Sequence, residues 1–182
     1  MSTRQLAVTF FLIFGLSGIA VAVSESNYSG QEQRKIKSLL QAEIDGYLTG
    51  KGMGFAKSAE LNHFPGPKHV MELANELSLS KDQREQTQRI YDVMKDKAIG
   101  YGQLLVQNEE KIEKLFAEGI VNPNLLEKAL SESAKIRSKL RGAHLVAHIE
   151  QKAVLSKHQI RLYDNLRGYT GGHSMQEHKH HH

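Results

Sequence analysis

The stretch Leu79-Ser80-Lys81-Asp82-Gln83 opens the longest helical pattern in the chain. Its serine and glutamine have the spacing of a capping box, in which the Ser80 hydroxyl accepts from the Gln83 amide and the Gln83 side chain returns to the Ser80 amide. Apolar residues then recur along one stripe: Ile90, Met94, Ala98, Tyr101, Leu105, Ile112 and Phe116. The pattern predicts one long helix to about residue 118, with Gly100 and Gly102 marking a bend or a close backbone approach.

A second long helix is predicted directly after the first. Gly119 suits a helix C-terminus, and Asn122-Pro123 suits a new start with proline at the first helical position. A heptad seam with two polar interruptions follows: Leu126, Ala129, Ser133, Ile136, Leu140, Ala143, Ala147, Glu150 and Val154. Two long amphipathic helices joined by so short a connection predict an antiparallel hairpin.

Shorter helices are predicted on both sides of this hairpin. Apolar residues at steps of three and four predict a helix from Gln31 to Leu48, followed by a glycine-rich connecting loop up to Pro67. Proline at the first helical position then predicts a short helix ending near Leu77. After the hairpin, Ser156 to Gln159 forms a second capping box, and the last helix stops at Gly168. The fold class predicted is all-α.

Composition excludes several functional classes. The 182 residues include no cysteine, which removes disulfide scaffolds, thiolate zinc sites and cysteine nucleophiles. The formal net charge is +4, and acidic and basic residues interleave, so no block recruits nucleic acid by charge alone. No G-x-S-x-G elbow, P-loop or H-E-x-x-H motif is present, and we therefore do not expect an enzyme.

The N-terminal sequence predicts export, and the C-terminal sequence predicts a metal-binding tail. The domain between them is predicted to span residues 23–170. Residues 1–22 resemble a signal peptide, with Arg4, an apolar run and the cleavage pattern Ala20-Val21-Ala22, although an uncleaved membrane anchor is the alternative. The sequence predicts that residues 171–182 form a flexible tail, and a purification tag is the alternative explanation for its histidines. Its histidines predict weak Zn, Cu or Ni binding: His173, His178, His180, His181 and His182.

One motif occurs twice. Leu79-Ser80-Lys81-Asp82-Gln83 and Leu155-Ser156-Lys157-His158-Gln159 share the pattern L-S-K-x-Q, 76 residues apart, and two good helix starts would explain both copies. Together with the signal peptide and the hairpin, the pair resembles the LTxxQ family of periplasmic proteins, which includes the Spy/CpxP-like chaperones and the ZraP/CnrX-like metal-responsive proteins. The resemblance covers roughly residues 60 to 168, with serine where that family usually has threonine.

The resemblance implies a Spy/CpxP-like helical hairpin that dimerises antiparallel into a thin curved cradle, where clients or metals bind without nucleotide. The residues agree in one respect, because so thin a hairpin cannot bury every apolar row of its long helices. The apolar residues left unburied need a partner, and a second copy of the chain, giving a homodimer, is the simplest one. These residues are Val93, Leu104, Leu115, Leu125 and Leu130.

His144 and His148 are candidate metal ligands. They are spaced i, i+4 on the second long helix, which is the geometry of a two-ligand clasp, although such pairs are often incidental. The family's metal-sensing branch takes a His-x3-Met pair from this region, and His148 in place of the methionine favours nitrogen-preferring metals. That branch adds N-terminal histidines and a glutamate, for which the chain offers His63, His69 and Glu72 at a different spacing.

Two functional hypotheses follow. The first is a periplasmic, ATP-independent chaperone or envelope-stress adaptor that binds unfolded proteins or the periplasmic domain of a sensor kinase. The alternative is a periplasmic heavy-metal sensor or resistance protein that binds Zn, Cu or Ni. Neither requires a cofactor for its fold, neither involves nucleic acid, and the chain does not span the membrane once its signal is cleaved.

Overall fold

The computed structural model describes residues 26–170, and the regular secondary structure in that range is entirely helical. Residues 26–32 form turns, closed for example by the Ser29 N–H donating to the Ser26 carbonyl oxygen at 3.0 Å. Residues 33–170 belong to a second unit. Its helices are α1 (Gln41–Leu48), α2 (Lys57–Glu60), α3 (Pro67–Glu72), α4 (Lys81–Ala117), α5 (Pro123–Val154) and α6 (Lys157–Leu166).

The all-α prediction is thus confirmed for the described range, whereas the predicted signal peptide at 1–22 and the tail at 171–182 lie outside it. Within residues 26–170, no helix has both the length and the apolar content needed to cross a membrane.

Helices α4 and α5 form the predicted antiparallel hairpin. Gly119 follows α4 with a φ of +66°, the left-handed conformation that ends a helix without steric cost to glycine. Asn122 caps α5, because its side-chain oxygen accepts from the Leu125 N–H at 3.0 Å. Two hydrogen bonds show that the helices run antiparallel. Asn108 near the end of α4 donates to the Ala129 carbonyl near the start of α5, and Gln151 near the end of α5 donates to Thr87 near the start of α4.

The glycine pair in α4 has one structural role. A Cβ atom built on Gly102 would lie 2.1 Å from the carbonyl oxygen of Tyr47, so the end of α1 approaches the α4 backbone more closely than any side chain permits. Gly100 has no such neighbour within 4 Å among the described residues. The predicted close approach is therefore confirmed at Gly102 alone.

Two buried clusters hold the unit together. The first joins α1, α4 and α5 through Ile36, Tyr47, Ala98, Leu105, Val106, Ile136 and Leu140. The second joins α3, the α6 helix and both L-S-K-x-Q motifs through Val70, Ala74, Leu77, Leu79, Leu155 and Tyr163. The second cluster closes the end of the hairpin opposite its tip, and we call this end the base.

The predicted seam of α5 is wrong near the base. Ile136, Leu140 and Ala147 are buried as expected, but Gln151 is fully buried where the heptad pattern placed Glu150, which is exposed. His144 is likewise buried beside the predicted position 143. A helix with 3.6 residues per turn drifts by about 20° per heptad relative to a strict seven-residue repeat, so the buried face moves to later positions along the chain.

The first predicted helix is also too long. Helix α1 begins at Gln41, and residues 31–40 are not helical. Ile36 is only 1 % exposed in the first buried cluster, and the flanking Lys35 and Lys37 pair with Glu110 and Glu113 of α4. Because exposed ion pairs contribute little, the burial of Ile36 is the main reason that this segment follows α4 instead of extending α1.

The connection between α1 and α4 contains more structure than predicted. Helix α2 lies inside the predicted loop, where its four residues start after Ala56. Helix α3 begins at Pro67 as expected but ends at Glu72, and turns occupy the residues up to the predicted limit at Leu77. Val70 and Leu77 are both buried in the second cluster, which also contains Tyr163 of α6. The residues after α3 therefore stay packed in the core although they are not helical.

Candidate functional site

Both copies of the L-S-K-x-Q motif form the predicted capping boxes. The Ser80 hydroxyl accepts from the Gln83 backbone N–H (3.2 Å), and the Gln83 side-chain oxygen accepts from the Ser80 N–H (3.1 Å). Between Ser156 and Gln159 the same two hydrogen bonds measure 3.2 and 2.9 Å. Each motif therefore satisfies amides that a helix N-terminus leaves without internal partners.

The motif glutamines also bond to each other, a contact missing from the sequence-based predictions. Gln83 Nε2 donates to Gln159 Oε1 at 2.9 Å, and Gln159 Nε2 donates to Gln83 Oε1 at 3.0 Å. Each amide makes one further bond, Gln83 to the Val154 carbonyl (2.9 Å) and Gln159 to the Leu77 carbonyl (3.1 Å). The repeat was the available signal, because an antiparallel hairpin returns the chain to the end where it started.

The motif leucines complete this junction. Leu79 and Leu155 are 6 % and 8 % exposed and lie in the same buried cluster. The paired motifs thus join the starts of α4 and α6 through buried apolar contacts and hydrogen bonds. All six motif residues have structural roles at the base.

Glu60 is a second junction, and no sequence pattern marked it. Its Oε1 accepts from the hydroxyls of Tyr163 (2.5 Å) and Tyr169 (3.0 Å), and its Oε2 accepts from the Gly66 N–H (3.1 Å). Arg167 Nε lies 3.6 Å from the same carboxylate. One acidic side chain of α2 therefore anchors α6, the residues after it, and the loop before α3. Burial, and then the hydrogen bond to Glu60, raise the pKa of the Tyr163 hydroxyl above its ordinary value.

The predicted ligand His144 is buried on α5, beside the first cluster. The residue is 4 % exposed, and its ring stacks on Phe55 with centroids 5.6 Å apart. Its Nε2 is buried without a hydrogen-bond partner among residues 26–170. Burial is the main cause that lowers the pKa of His144, and the nearby His148 lowers it further.

His148, one turn later, already has a partner. Its Nδ1 lies 2.7 Å from the Phe64 carbonyl oxygen and 3.6 Å from Glu60 Oε2. The carbonyl can only accept, so Nδ1 carries the hydrogen and Nε2 is left for another contact.

Of the three N-terminal candidates, His69 and Glu72 bond to each other, and His63 bonds to a different residue. His63 Nδ1 lies 2.8 Å from Asp164 of α6, and His69 Nδ1 lies 2.8 Å from Glu72. The hydrogen bond from His69 is the main cause that lowers the pKa of Glu72. His69 and His148 do line one cavity, together with His144.

No three His, Cys, Asp or Glu side chains within residues 26–170 are placed to hold one metal ion. His144 and His148 would need ligands from a second copy or from the rest of the chain, and the tail histidines lie outside the described residues. The metal site therefore stays a prediction.

An apolar groove lies at the tip of the hairpin, where α4 ends and α5 begins. Its volume is about 510 Å³, and its apolar walls come from Leu115, Ile120, Leu125 and Ala129. Five charged residues also line it: Lys111, Lys114, Lys128, Glu118 and Glu132. We call this feature the tip groove.

Apolar side chains also remain exposed along the hairpin. Of the rows expected to need a partner, four are exposed and Leu115 is half-buried. The exposed members are Val93, Leu104, Leu125 and Leu130, joined by Phe116, Ile120, Val146 and Ile149.

Comparison with protein-family models, with curated proteins and with solved structures found no match for this chain.

Proposed function

We propose that this chain is a periplasmic, ATP-independent chaperone or envelope-stress adaptor of Spy/CpxP type. The observation that carries the proposal is the tip groove, an open apolar surface bordered by lysines on a thin helical hairpin. Unfolded chains expose apolar segments that folded proteins bury, and such a groove can hold them without chemistry or nucleotide.

The charged residues around the groove indicate which charge its bound segment should carry. Lys111 and Lys128 form no ion pair with another described residue, whereas Lys114 lies 3.6 Å from Glu118. Glu132 also lines the groove, so three lysines and two glutamates leave its border with a small excess of positive charge. An apolar segment flanked by Asp or Glu would complement this border, and opposite charges raise the rate of encounter. We therefore expect apolar segments with acidic flanks to bind best, either in unfolded proteins or in a signalling partner.

Homodimerisation is part of the proposal. Val93, Leu104 and Leu130 are each about half exposed, at 48–51 %, and they lie on the two long helices. A second copy packed against them would remove apolar area from water, which favours association. Sedimentation of the chain from residue 23 onward should show a dimer at micromolar concentration, and a monomer alone would contradict this part.

The repeated motif supports the family resemblance behind the proposal. Both L-S-K-x-Q copies cap helices and meet at the base of one hairpin, as expected for a duplicated structural element. Export to the periplasm rests on the signal-like residues 1–22.

The experiment compares two leucines of equal exposure. Leu125 in the tip groove and Leu48 at the end of α1 are each 40 % exposed. Aggregation of reduced α-lactalbumin is followed by light scattering, without nucleotide, in the presence of the wild type, Leu125→Ser or Leu48→Ser. We expect Leu125→Ser to require about tenfold more protein for the same protection, since losing a leucine contact of about 1.4 kcal/mol changes affinity tenfold.

Leu48→Ser should protect as well as the wild type. Equal losses in the two variants, or no protection by the wild type, would contradict a client site at the tip. Strict dependence on ATP would contradict the mechanism.

The metal-sensor alternative has one supporting observation, the partnerless Nε2 of His144 one helical turn from His148. Zinc titration with and without residues 172–182 tests it. A tight class of sites that survives removal of the tail and disappears in the His144→Ala, His148→Ala double variant would support the alternative. Zinc binding that disappears with the tail would contradict a hairpin site.

A further inference from the structure

A cavity of about 470 Å³ lies between the base and the middle of the hairpin, against the loops at residues 49–52 and 66–69. We call it the basal cavity. Its lining is separate from that of the tip groove and includes Lys51, Tyr91, Met94, Lys95, His144 and His148. Cavities of roughly 300–1,000 Å³ are the size that hold small organic molecules.

The charge of the lining favours an anion. Three lysines line the basal cavity, and no Asp or Glu does. Lys68 lies 3.7 Å from Glu72, but Lys51 and Lys95 make no ion pair with another residue of the described range. Two positive charges at one cavity without compensating carboxylates attract a negatively charged group.

A buried histidine lies in the same wall. His144 is 4 % exposed, and its Nε2 has no hydrogen-bond partner among residues 26–170. That nitrogen is too deeply buried for water to reach, so the His144 ring contributes aromatic surface to the cavity wall.

Part of the wall is apolar or aromatic. Met94 and Ala147 are buried, and Pro67 and the Tyr91 ring add further carbon surface. An inorganic anion would leave this surface without contacts, whereas an organic anion would cover it.

We propose that the basal cavity binds a small organic carboxylate, whose aromatic or aliphatic body packs against Met94 and Ala147. Lys51 and Lys95 attract the carboxylate, and the His144 ring forms part of the wall against which the body of the ligand packs. The site is separate from the tip groove, because the two share no lining residue.

Benzoate is the probe, and benzamide is its neutral counterpart of nearly the same shape. The full chain, labelled at its methionine methyl groups, is titrated with each compound and followed by NMR. We expect benzoate to shift the Met94 signal and not that of Met71, which lies outside the cavity lining. Benzamide should bind at least about tenfold more weakly, because it cannot form charge-assisted hydrogen bonds with the lysines.

Matched variants locate the site. Lys95→Gln and Lys51→Gln should each weaken benzoate binding by about two- to fivefold, the usual range for one partly exposed charged contact. Lys97→Gln is the control, since Lys97 is exposed on α4 two residues from Lys95 but does not line the cavity.

Three results would overturn the proposal. They are equal binding of benzoate and benzamide, equal losses of affinity in Lys95→Gln and Lys97→Gln, and no Met94 shift at about 10 mM benzoate, a concentration above the roughly 1 mM dissociation constant of a weak small ligand.

A titration with Zn²⁺ alone provides a further test. If zinc shifts Met94 in a way that needs His144 and is unchanged in Lys51→Gln and Lys95→Gln, the cavity holds a metal instead.

Discussion

The side-chain amides of Gln83 and Gln159 form two reciprocal hydrogen bonds, 2.9 and 3.0 Å long, across the base of the hairpin. Each glutamine also caps its own helix, so one residue type serves two purposes in each motif. The start of α4 is thereby joined to the start of α6 by neutral bonds whose strength does not depend on salt or on moderate pH. This junction determines how the hairpin closes at its base.

The first prediction concerns this pair. Gln83→Ala and Gln159→Ala should each lower the free energy of unfolding by about 1–3 kcal/mol, because each leaves buried or half-buried partners unsatisfied. The double variant should lose less than the sum of the two, by roughly 0.5–3 kcal/mol, since both changes remove the same bonds. Urea unfolding of the four proteins measures this coupling.

Gln88→Ala is the control for that cycle. Gln88 is exposed on α4, and its side chain donates only to Asp92 at 2.8 Å. Its replacement should change stability by less than about 0.5 kcal/mol. Strict additivity of the Gln83 and Gln159 changes would show that the pair contributes nothing beyond its two caps.

The second prediction concerns the serine caps. Ser80→Ala and Ser156→Ala should each destabilise the protein by about 0.5–2 kcal/mol through loss of the bond to the third helical amide. Ser138→Ala, at an exposed position inside α5, should be neutral or slightly stabilising, because alanine is the better helix former there. Thermal unfolding compares the three variants, and equal losses in all of them would contradict a capping role.

The third prediction concerns acid stability. Burial lowers the pKa of His144 below its ordinary 6.5, so the unfolded chain binds a proton that the folded protein does not. The resulting stability is present above pH 6.5 and is lost as the pH falls below it, by at most about 1.4 kcal/mol per pH unit. Unfolding free energies measured between pH 7.5 and 5.5 should decline less in His144→Gln than in the wild type.

His158→Gln is the matched control, since His158 is exposed at the start of α6. Its acid decline should equal that of the wild type. If His144→Gln and the wild type decline equally, protonation of His144 does not oppose folding.

The hairpin was predictable because its limits are set locally. Ser80, Asn122 and Ser156 each start a helix through a bond to a residue three positions later, and Gly119 ends one by its own conformation. Such signals need no knowledge of distant residues. The start of α1 was not predictable for the opposite reason, because the burial of Ile36 against α4 depends on tertiary contacts.

The candidate sites were likewise predictable only where the signal was local in sequence. The spacing of His144 and His148 placed both on one helix, but it could not show that His144 is buried against Phe55 or that His148 bonds to the Phe64 carbonyl. Glu60 had no signal at all, since its tyrosine and arginine partners lie about a hundred residues away in sequence. Contacts made by a single acidic residue across the fold leave no periodic pattern.

The last prediction tests Glu60 through its tyrosine partner. Burial and the bond to Glu60 raise the pKa of Tyr163 above its ordinary 10.0, so the folded protein holds a proton that the unfolded chain releases at alkaline pH. The stability from this proton is fully present below pH 10 and is lost as the pH rises beyond it. Tyr163→Phe should therefore lower the free energy of unfolding by about 1 kcal/mol at pH 7, the net value of one hydrogen bond, and the stability of this variant should decline less steeply above pH 10 than that of the wild type.

Tyr101→Phe is the control for loss of a tyrosine hydroxyl itself, because the half-buried Tyr101 hydroxyl has no hydrogen-bond partner among residues 26–170. Urea unfolding at pH 7, 9.5 and 10.5 separates these outcomes, and parallel alkaline declines in the wild type and Tyr163→Phe would contradict the role of Glu60 in holding the proton.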